Sequence, residues 1–148
     1  MKIKECMCNE TIFAKPETTV QDVAKQMKDN HIGCIPVCDN NKKLVGLVTD
    51  RDVVLRCIAC NKDAKTVPVS EIMTTKLYTA GPDEDIENAT EKMCDGNVKR
   101  IPIVEPNGCL RGMLTISDLS VSPLCSTETV GYIVEEICGC NSKNKNAE

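Results

Sequence analysis

Aromatic residues are nearly absent from this 148-residue chain, which has one Phe, two Tyr and no Trp. Proteins that bind single-stranded nucleic acid stack its bases on aromatic side chains, so we do not expect that function. A basic stripe is also missing, because 18 basic and 22 acidic residues are interspersed and give a net charge of −4. Duplex nucleic acid is therefore not an expected partner either.

Long hydrophobic runs are missing as well. The longest uncharged apolar stretches have about five residues, whereas a membrane-spanning helix needs about 20. The first six residues, Met1 to Cys6, do not contain the apolar core of a signal peptide. We therefore expect a soluble, cytoplasmic protein that has no membrane partner.

Histidine is scarce, since His31 is the only one in the chain. Ser-His-Asp and Cys-His catalysis consequently have almost no candidate residues. The carboxylates show no pairing that is typical of acid–base catalysis. We expect no catalytic residues and no enzyme activity, and we expect His31 to lie at the surface near the end of the first helix.

Cysteine, in contrast, occurs eleven times. The odd number and the missing secretion signal argue against a disulfide framework, so most of these residues should behave as small buried hydrophobes. Cys57 and Cys60 have CxxC spacing, and Cys6-Met7-Cys8 and Cys138-Gly139-Cys140 are CxC pairs. A cysteine-based metal or redox sensor is therefore an alternative, although no second CxxC at zinc-finger spacing supports it, and we assign no metal site.

The main feature of the chain is an internal repeat at an offset of 66 residues. An ungapped comparison of residues 3–53 with residues 69–119 gives thirteen identical pairs, and apolar positions match apolar ones. Ile35-Pro36 matches Ile101-Pro102 in this comparison. A match at a fixed period indicates a duplicated structural unit.

Each half has the same pattern of local structure. Thr18 and Thr19 precede apolar residues at the spacing of an amphipathic helix, and either threonine can cap it. Asp83 or Asp85 can cap the matching helix in the second half. A strand, a polar turn, a second strand and a second helix follow, so we predict a β-α-β-β-α unit with a short leading strand. The second helix should direct these residues inward: Val53, Val54 and Cys57 or Ile58.

Residues 127–138 predict an additional helix, because apolar residues recur at helical spacing there. The apolar positions are Val130, Ile133, Val134 and Ile137.

The closing motif of each half resembles that of the tandem CBS domain, also called the cystathionine β-synthase domain pair or Bateman module. The motifs are Gly46-Leu47-Val48-Thr49-Asp50-Arg51-Asp52 and Gly112-Met113-Leu114-Thr115-Ile116-Ser117-Asp118. The resemblance implies an α/β (α+β) fold of two pseudo-symmetric β-α-β-β-α repeats packed sheet-to-sheet into one module. We assign residues 1–66 to the first repeat with its linker, 67–124 to the second, and 125–148 to a C-terminal helix and polar tail.

The resemblance also implies a function. Such modules bind AMP, ADP, ATP or S-adenosylmethionine between the repeats, regulate a protein target, require no cofactor and commonly form homodimers. The target is unknown here. A Thr hydroxyl and the open N–H groups of a helix start suit a phosphate, and the Asp carboxylate suits two neighbouring ribose hydroxyls.

In the CBS family, each ligand site combines the Asp motif of one repeat with the strand region of the other, and we call this arrangement the family pairing. It implies a first site formed by Thr49, Arg51 and Asp52 with Val98, Lys99 and Arg100. It implies a second site formed by Thr115, Ser117 and Asp118 with Ile12, Ile32, Gly33 and Cys34. The first site gathers three cations, so we expect it to prefer phosphorylated ligands. A simple capping role for Asp52 and Asp118, and a dimeric scaffold with empty sites, are the alternatives.

Overall fold

The chain forms two compact units, each containing the central part of one repeat. The computed structural model describes residues 1–9 and 11–145, with side chains described as far as residue 137. Unit 1 contains residues 1–10, 78–106 and 111–148, and unit 2 contains residues 11–77 and 107–110. The assigned boundaries at 66 and 124 follow the repeat in the sequence, whereas the compact units exchange short segments between the repeats.

Unit 2 is built on the first repeat. Its elements are α1 (Val20–Asn30), β1 (Cys34–Cys38), β2 (Leu44–Thr49) and α2 (Asp50–Asp52), which continues as a π-helix over Val53–Ile58. Thr19 caps α1 by accepting a hydrogen bond from the Asp22 N–H, which selects one of the two predicted caps. His31 is exposed, as expected, and ends α1 in the left-handed region.

Unit 1 is built on the second repeat and the additional helix. Its elements are α3 (Ile86–Gly96), β3 (Arg100–Val104), β4 (Leu110–Thr115, whose first residue belongs to unit 2), α4 (Ile116–Val121) and α5 (Thr127–Lys145). Asp85 lies at the start of α3 without a side-chain cap and forms an ion pair with Lys2 instead, at 3.0 Å. Residues 146–148, the end of the predicted polar tail, lie outside the described residues.

The strands pair as the repeat predicts. β1 runs antiparallel to β2, with Ile35 opposite Val48 and Pro36 opposite Leu47. Pro36 directs its carbonyl away from β2 and accepts a hydrogen bond from the Ala14 N–H at 2.9 Å. The predicted leading strand is therefore reduced to a single parallel bridge at Ala14, with Ala80 and Ile103 forming the equivalent bridge in unit 1.

The first segment of each repeat belongs to the unit of the other repeat. Ile3–Glu5 and Val69–Glu71 are equivalent 3₁₀ turns, and Ile3 and Val69 are both fully buried. Ile3 belongs to the hydrophobic core of unit 1, whereas Val69 belongs to that of unit 2. Each core is therefore completed by a turn from the other repeat.

The inward face predicted for the second helix is partly wrong. Cys57 is fully buried, but Val54 and Ile58 are 52% and 62% exposed. Val53 packs against the same core as Cys57, whereas Val54 and Ile58 lie on the exposed side of the π-helix. The mixed helix-and-strand class and the two similar repeats are confirmed.

Candidate functional site

The Asp of each closing motif caps the helix that follows its strand. In unit 2 the Asp52 N–H donates to Thr49 Oγ1 at 3.1 Å, and Asp52 Oδ2 accepts from the Thr49 N–H at 3.0 Å. In unit 1 Thr115 and Asp118 form the same box at 3.1 Å and 2.8 Å. The capping alternative is thus realised at both positions, and it leaves the Oδ1 atom of each carboxylate for another partner.

The Thr115 hydroxyl is not a free donor for a ligand. Thr115 Oγ1 donates to Asp118 Oδ2 at 2.9 Å while it accepts from the Asp118 N–H. A hydroxyl has a single proton to donate, so a phosphate cannot also receive it. The Ser117 hydroxyl has no hydrogen-bond partner among the described residues, and it is exposed. Ser117 therefore replaces Thr115 as the candidate hydroxyl donor.

The first backbone N–H groups of both closing helices are also occupied. Asp50 N–H donates to the Gly33 carbonyl at 3.0 Å, and Ile116 N–H donates to the Lys99 carbonyl at 3.1 Å. The expectation that several open N–H groups receive a phosphate is therefore wrong for these positions. An anion must be recognised mainly by side chains.

Asp52 has a cationic partner that sequence reasoning missed. Arg56 Nε lies 3.6 Å from Asp52 Oδ1, and the Asp52 side chain is only 12% exposed. Arg56 Nη1 also donates to the carbonyls of Ile72 and Met73 at 3.3 Å. The i, i+4 spacing of Asp52 and Arg56 was the signal that could have revealed this pair.

A cavity of about 350 Å³ lies within unit 1, next to the motif of the second repeat. It is lined by Lys99, Arg100, Thr115, Ile116, Ser117, Val134 and Ile137. Lys99 and Arg100 have no acidic partner within 4 Å among the described residues, and no acidic side chain is among the lining residues. The cavity thus combines two uncompensated positive charges with a free hydroxyl and three apolar side chains, which suits an organic anion.

A sequence model of the CBS domain matches the chain twice, over residues 3–58 and 69–121. The chain belongs to the CBS domain family. The two matches make it a tandem CBS pair, as the closing motifs predicted.

Curated and solved relatives agree with this assignment. The chain is 36% identical over 135 residues to the CBS domain-containing protein YhcV of Bacillus subtilis, covering 91% of this chain and 94% of that protein. It matches the CBS domain protein PAE2072 from Pyrobaculum aerophilum, solved with AMP, at 25% identity and a TM-score of 0.77, covering 88% and 99% of the two chains. It matches the CBS domain pair of protein MJ0100, solved with 5′-methylthioadenosine and S-adenosyl-L-methionine, at 28% identity and a TM-score of 0.73, covering 81% and 93%.

The predicted site residues of this CBS pair are divided between the two units. Unit 2 holds Ile12, Ile32, Gly33, Cys34, Thr49, Arg51 and Asp52, and unit 1 holds Val98, Lys99, Arg100, Thr115, Ser117 and Asp118. Each site implied by the family pairing draws on both units, so those groupings stay predictions. Within unit 1, the cavity groups Lys99 and Arg100 with Thr115 and Ser117, a combination that sequence reasoning did not make.

The corresponding part of unit 2 has a different charge. Gly33 occupies the position of Lys99, and Asp50 occupies the position of Ile116. A Cβ atom on Gly33 would lie 3.0 Å from Asp50 Oδ2, so the Asp50 carboxylate fills the space beside this glycine. The first repeat therefore presents an acidic group where the second repeat presents a cation and an apolar side chain.

The cysteine motifs do not form a shared group in the part of the chain with described side chains. Cys57 is buried and donates to the Lys62 carbonyl, whereas Cys60 is exposed and donates to the Leu55 carbonyl. Within that part, no three His, Cys, Asp or Glu residues are placed to hold a metal ion. The side chains of Cys138 and Cys140 lie outside it. None of the described helices is long and apolar enough to cross a membrane.

Proposed function

We propose that this CBS pair is a cytoplasmic regulatory module that catalyses no reaction and binds an adenosyl ligand, namely AMP, ADP, ATP or S-adenosylmethionine. The observation that carries the proposal is the cavity of unit 1, where Lys99 and Arg100 lie beside the Thr-x-x-Asp motif of the second repeat. Support comes from relatives solved with AMP and with S-adenosyl-L-methionine.

The chemistry of the lining residues matches the parts of a nucleotide. Lys99, Arg100 and Ser117 offer positive charge and a hydroxyl donor to a phosphate. Asp118 does not line the cavity but belongs to the same motif, and its Oδ1 makes no bond to the capping Thr115, so it is able to accept from ribose hydroxyls. Ile116 adds apolar surface for the base.

Among the four ligands, AMP is the best first probe. Ligand cavities span about 300–1,000 Å³, and the volume of about 350 Å³ lies at the small end of that range. A single phosphate suits two cations, whereas ATP brings more negative charge and volume. The sulfonium of S-adenosylmethionine would be repelled by Lys99 and Arg100.

Isothermal titration calorimetry with each of the four ligands tests the proposal. Arg100→Ala should weaken AMP binding by roughly 10- to 150-fold, because a charge-assisted hydrogen bond contributes roughly 1.5–3 kcal/mol. Arg111→Ala is the matched control, since Arg111 is an exposed arginine of the same unit that pairs with Glu105. If none of the four ligands binds at millimolar concentration, the regulatory function fails and only a scaffold with empty sites remains.

A double-mutant cycle decides which Asp acts together with Arg100. Thr115 and Ser117, which line the cavity, belong to the same motif as Asp118, whereas the family pairing favours Asp52. Residues that contact one ligand show non-additive effects on its binding. Non-additive effects of Arg100→Ala and Asp118→Asn, with additive effects of Arg100→Ala and Asp52→Asn, would support the cavity of unit 1. The reverse pattern would support the family pairing.

We further propose that the module forms homodimers through the π-helix of unit 2. Its apolar residues Val54, Leu55 and Ile58 are 52%, 46% and 62% exposed, and adjacent exposed apolar residues are typical of interaction surfaces. Light scattering should show a dimer, and Leu55→Glu should convert it to a monomer. A monomeric wild-type protein at micromolar concentration would contradict this part of the proposal.

A further inference from the structure

The cavity of unit 1 includes residues from outside both CBS repeats. The family match ends at residue 121, whereas Val134 and Ile137 belong to α5. The second repeat therefore supplies the cations and the motif, and α5 supplies an apolar wall.

The core of unit 1 fixes the orientation of α5. Ile133 and Ile137 are 3% and 1% exposed, and both belong to the hydrophobic core of the unit. Val134 is 38% exposed and lines the cavity. Val134 is adjacent to Ile133 in α5, so the buried Ile133 and Ile137 hold the backbone of Val134 beside the cavity.

We propose that α5 forms part of the ligand site and that Val134 determines which ligands the cavity accepts. The proposal rests on adenosyl-ligand binding as the function of the module. Val134 and Ile137 provide a surface without polar groups, while Lys99 and Arg100 provide positive charge. A ligand with an anionic group and an uncharged, flat group fits both surfaces, whereas a ligand with negative charge at both ends does not.

The same contact connects ligand binding to α5. A ligand that contacts Val134 binds more tightly when α5 is packed on the core of unit 1 than when α5 is displaced from it. Ligand binding therefore favours the packed position of α5. The exposed face of α5 includes Tyr132, which is 63% exposed. Ligand binding in the cavity thereby influences the position of the exposed face of α5, which a protein target is able to contact.

A charge placed at residue 134 tests the contact. Val134→Glu brings a carboxylate into the cavity, where it pairs with the two cations and repels the AMP phosphate, so AMP affinity should fall about tenfold or more. Val134→Gln introduces a side chain of almost the same size as glutamate but without the charge, and it should lower AMP affinity less than threefold. Tyr132→Glu adds the same charge at an exposed position of α5 and should change affinity less than twofold. Equal AMP affinities of Val134→Glu and Tyr132→Glu would overturn the proposal.

Hydrogen exchange on the wild-type protein provides a test that does not depend on any variant folding. Saturating AMP should slow exchange of the amides of residues 130–137 at least fivefold. Unchanged exchange in α5 at proven saturation would overturn the proposal while leaving AMP binding intact. Failure of the wild-type protein to bind AMP would instead refute the proposed function, so the two failures are distinguishable.

Discussion

Gly112→Ala should be one of the most damaging single-methyl substitutions in this protein. Gly112 lies in β4 where the exchanged segment of the first repeat crosses it, and Cys8 and Met113 exchange backbone hydrogen bonds at 3.0 Å and 3.1 Å. A Cβ atom at residue 112 would overlap the Cys8 carbonyl oxygen and lie 2.5 Å from Met7 Cε. The methionine is able to move, but the carbonyl is held by the bridge.

The expected loss of stability of Gly112→Ala depends on which part of the structure has to move. The bridge to Met113 has to break or β4 has to shift, so the loss includes about 1–3 kcal/mol for overpacking and about 1 kcal/mol for a lost hydrogen bond. We expect a total loss of about 3 kcal/mol in the free energy of unfolding. A chain of this size loses about 2–4 °C of melting temperature per kcal/mol, so the melting temperature should fall by about 10 °C.

Two further glycines provide graded controls. At Gly46, the equivalent position, a Cβ would lie 2.6 Å from the flexible Met73 Sδ and 3.1 Å from the Thr74 carbonyl, so Gly46→Ala should cost less, about 1–2 kcal/mol. At Gly131, inside α5, a Cβ would meet nothing within 4 Å. Gly131→Ala should stabilise the protein by about 0.5–1 kcal/mol, because Ala favours the helix.

Urea unfolding followed by circular dichroism measures all three variants. The expected order of stability is Gly131→Ala above the wild type, with Gly46→Ala and then Gly112→Ala below it. A loss below about 0.5 kcal/mol for Gly112→Ala would show that the exchanged segment does not pack against β4 as described. Equal losses of stability for Gly46→Ala and Gly112→Ala would show that overlap with the Cys8 carbonyl costs no more than overlap with the flexible Met73 side chain.

Three other measurements address local features. The pKa of Glu84 is lowered from its ordinary value of 4.5, first by the Gly81 N–H that donates to the carboxylate. Glu84→Gln should therefore reduce stability at pH 7, and the difference should shrink as the pH falls below 4.5 and the wild-type carboxylate takes up a proton. Burial raises the pKa of the Cys38 thiol to about 11, so mass spectrometry should find Cys38 unlabelled by iodoacetamide at pH 7.5 in the folded protein and labelled in urea. Arg56→Ala removes the contacts to Asp52 and two carbonyls, and should lower the free energy of unfolding by about 1 kcal/mol in urea titrations.

The repeat and its hairpins could be predicted because they depend on local patterns. The predicted strand, turn and second strand of the first repeat are observed as β1 and β2. α5 begins at Thr127 as predicted, and two of its four predicted apolar positions, Ile133 and Ile137, are buried. Periodicity and capping residues act within a few positions in the chain, so one sequence is enough to read them.

The candidate site could not be predicted in the same way. The motif resemblance assigned the carboxylates of Asp52 and Asp118 to a ligand, but one oxygen of each is used by the threonine three residues before it. The position of Val134 in the lining of the cavity depends on how α5 packs against the core of unit 1, and no local pattern predicts that packing. The exchange of the leading segments is likewise a long-range property, since Ile3 and Val69 have similar sequence surroundings in either arrangement.

Duplication preserved the scaffold of the two repeats more closely than the charges around the motifs. Both repeats keep the Thr and Asp of the cap, because a helix that follows a strand needs its first N–H groups satisfied in either unit. The positions beside the cap have diverged: Arg56 neutralises Asp52, whereas Ser122 occupies the equivalent position near Asp118.

This divergence predicts unequal affinity for anions within the two units. Asp50 and Arg56 leave the first repeat with an acidic group beside Gly33 and with Asp52 already paired. Lys99 and Arg100 give the second repeat positive charge that has no acidic partner within 4 Å among the described residues. AMP binding should therefore weaken steeply with added salt and titrate with one strong site per chain. Two equal sites, or an affinity that salt leaves unchanged, would show that these charges do not control binding.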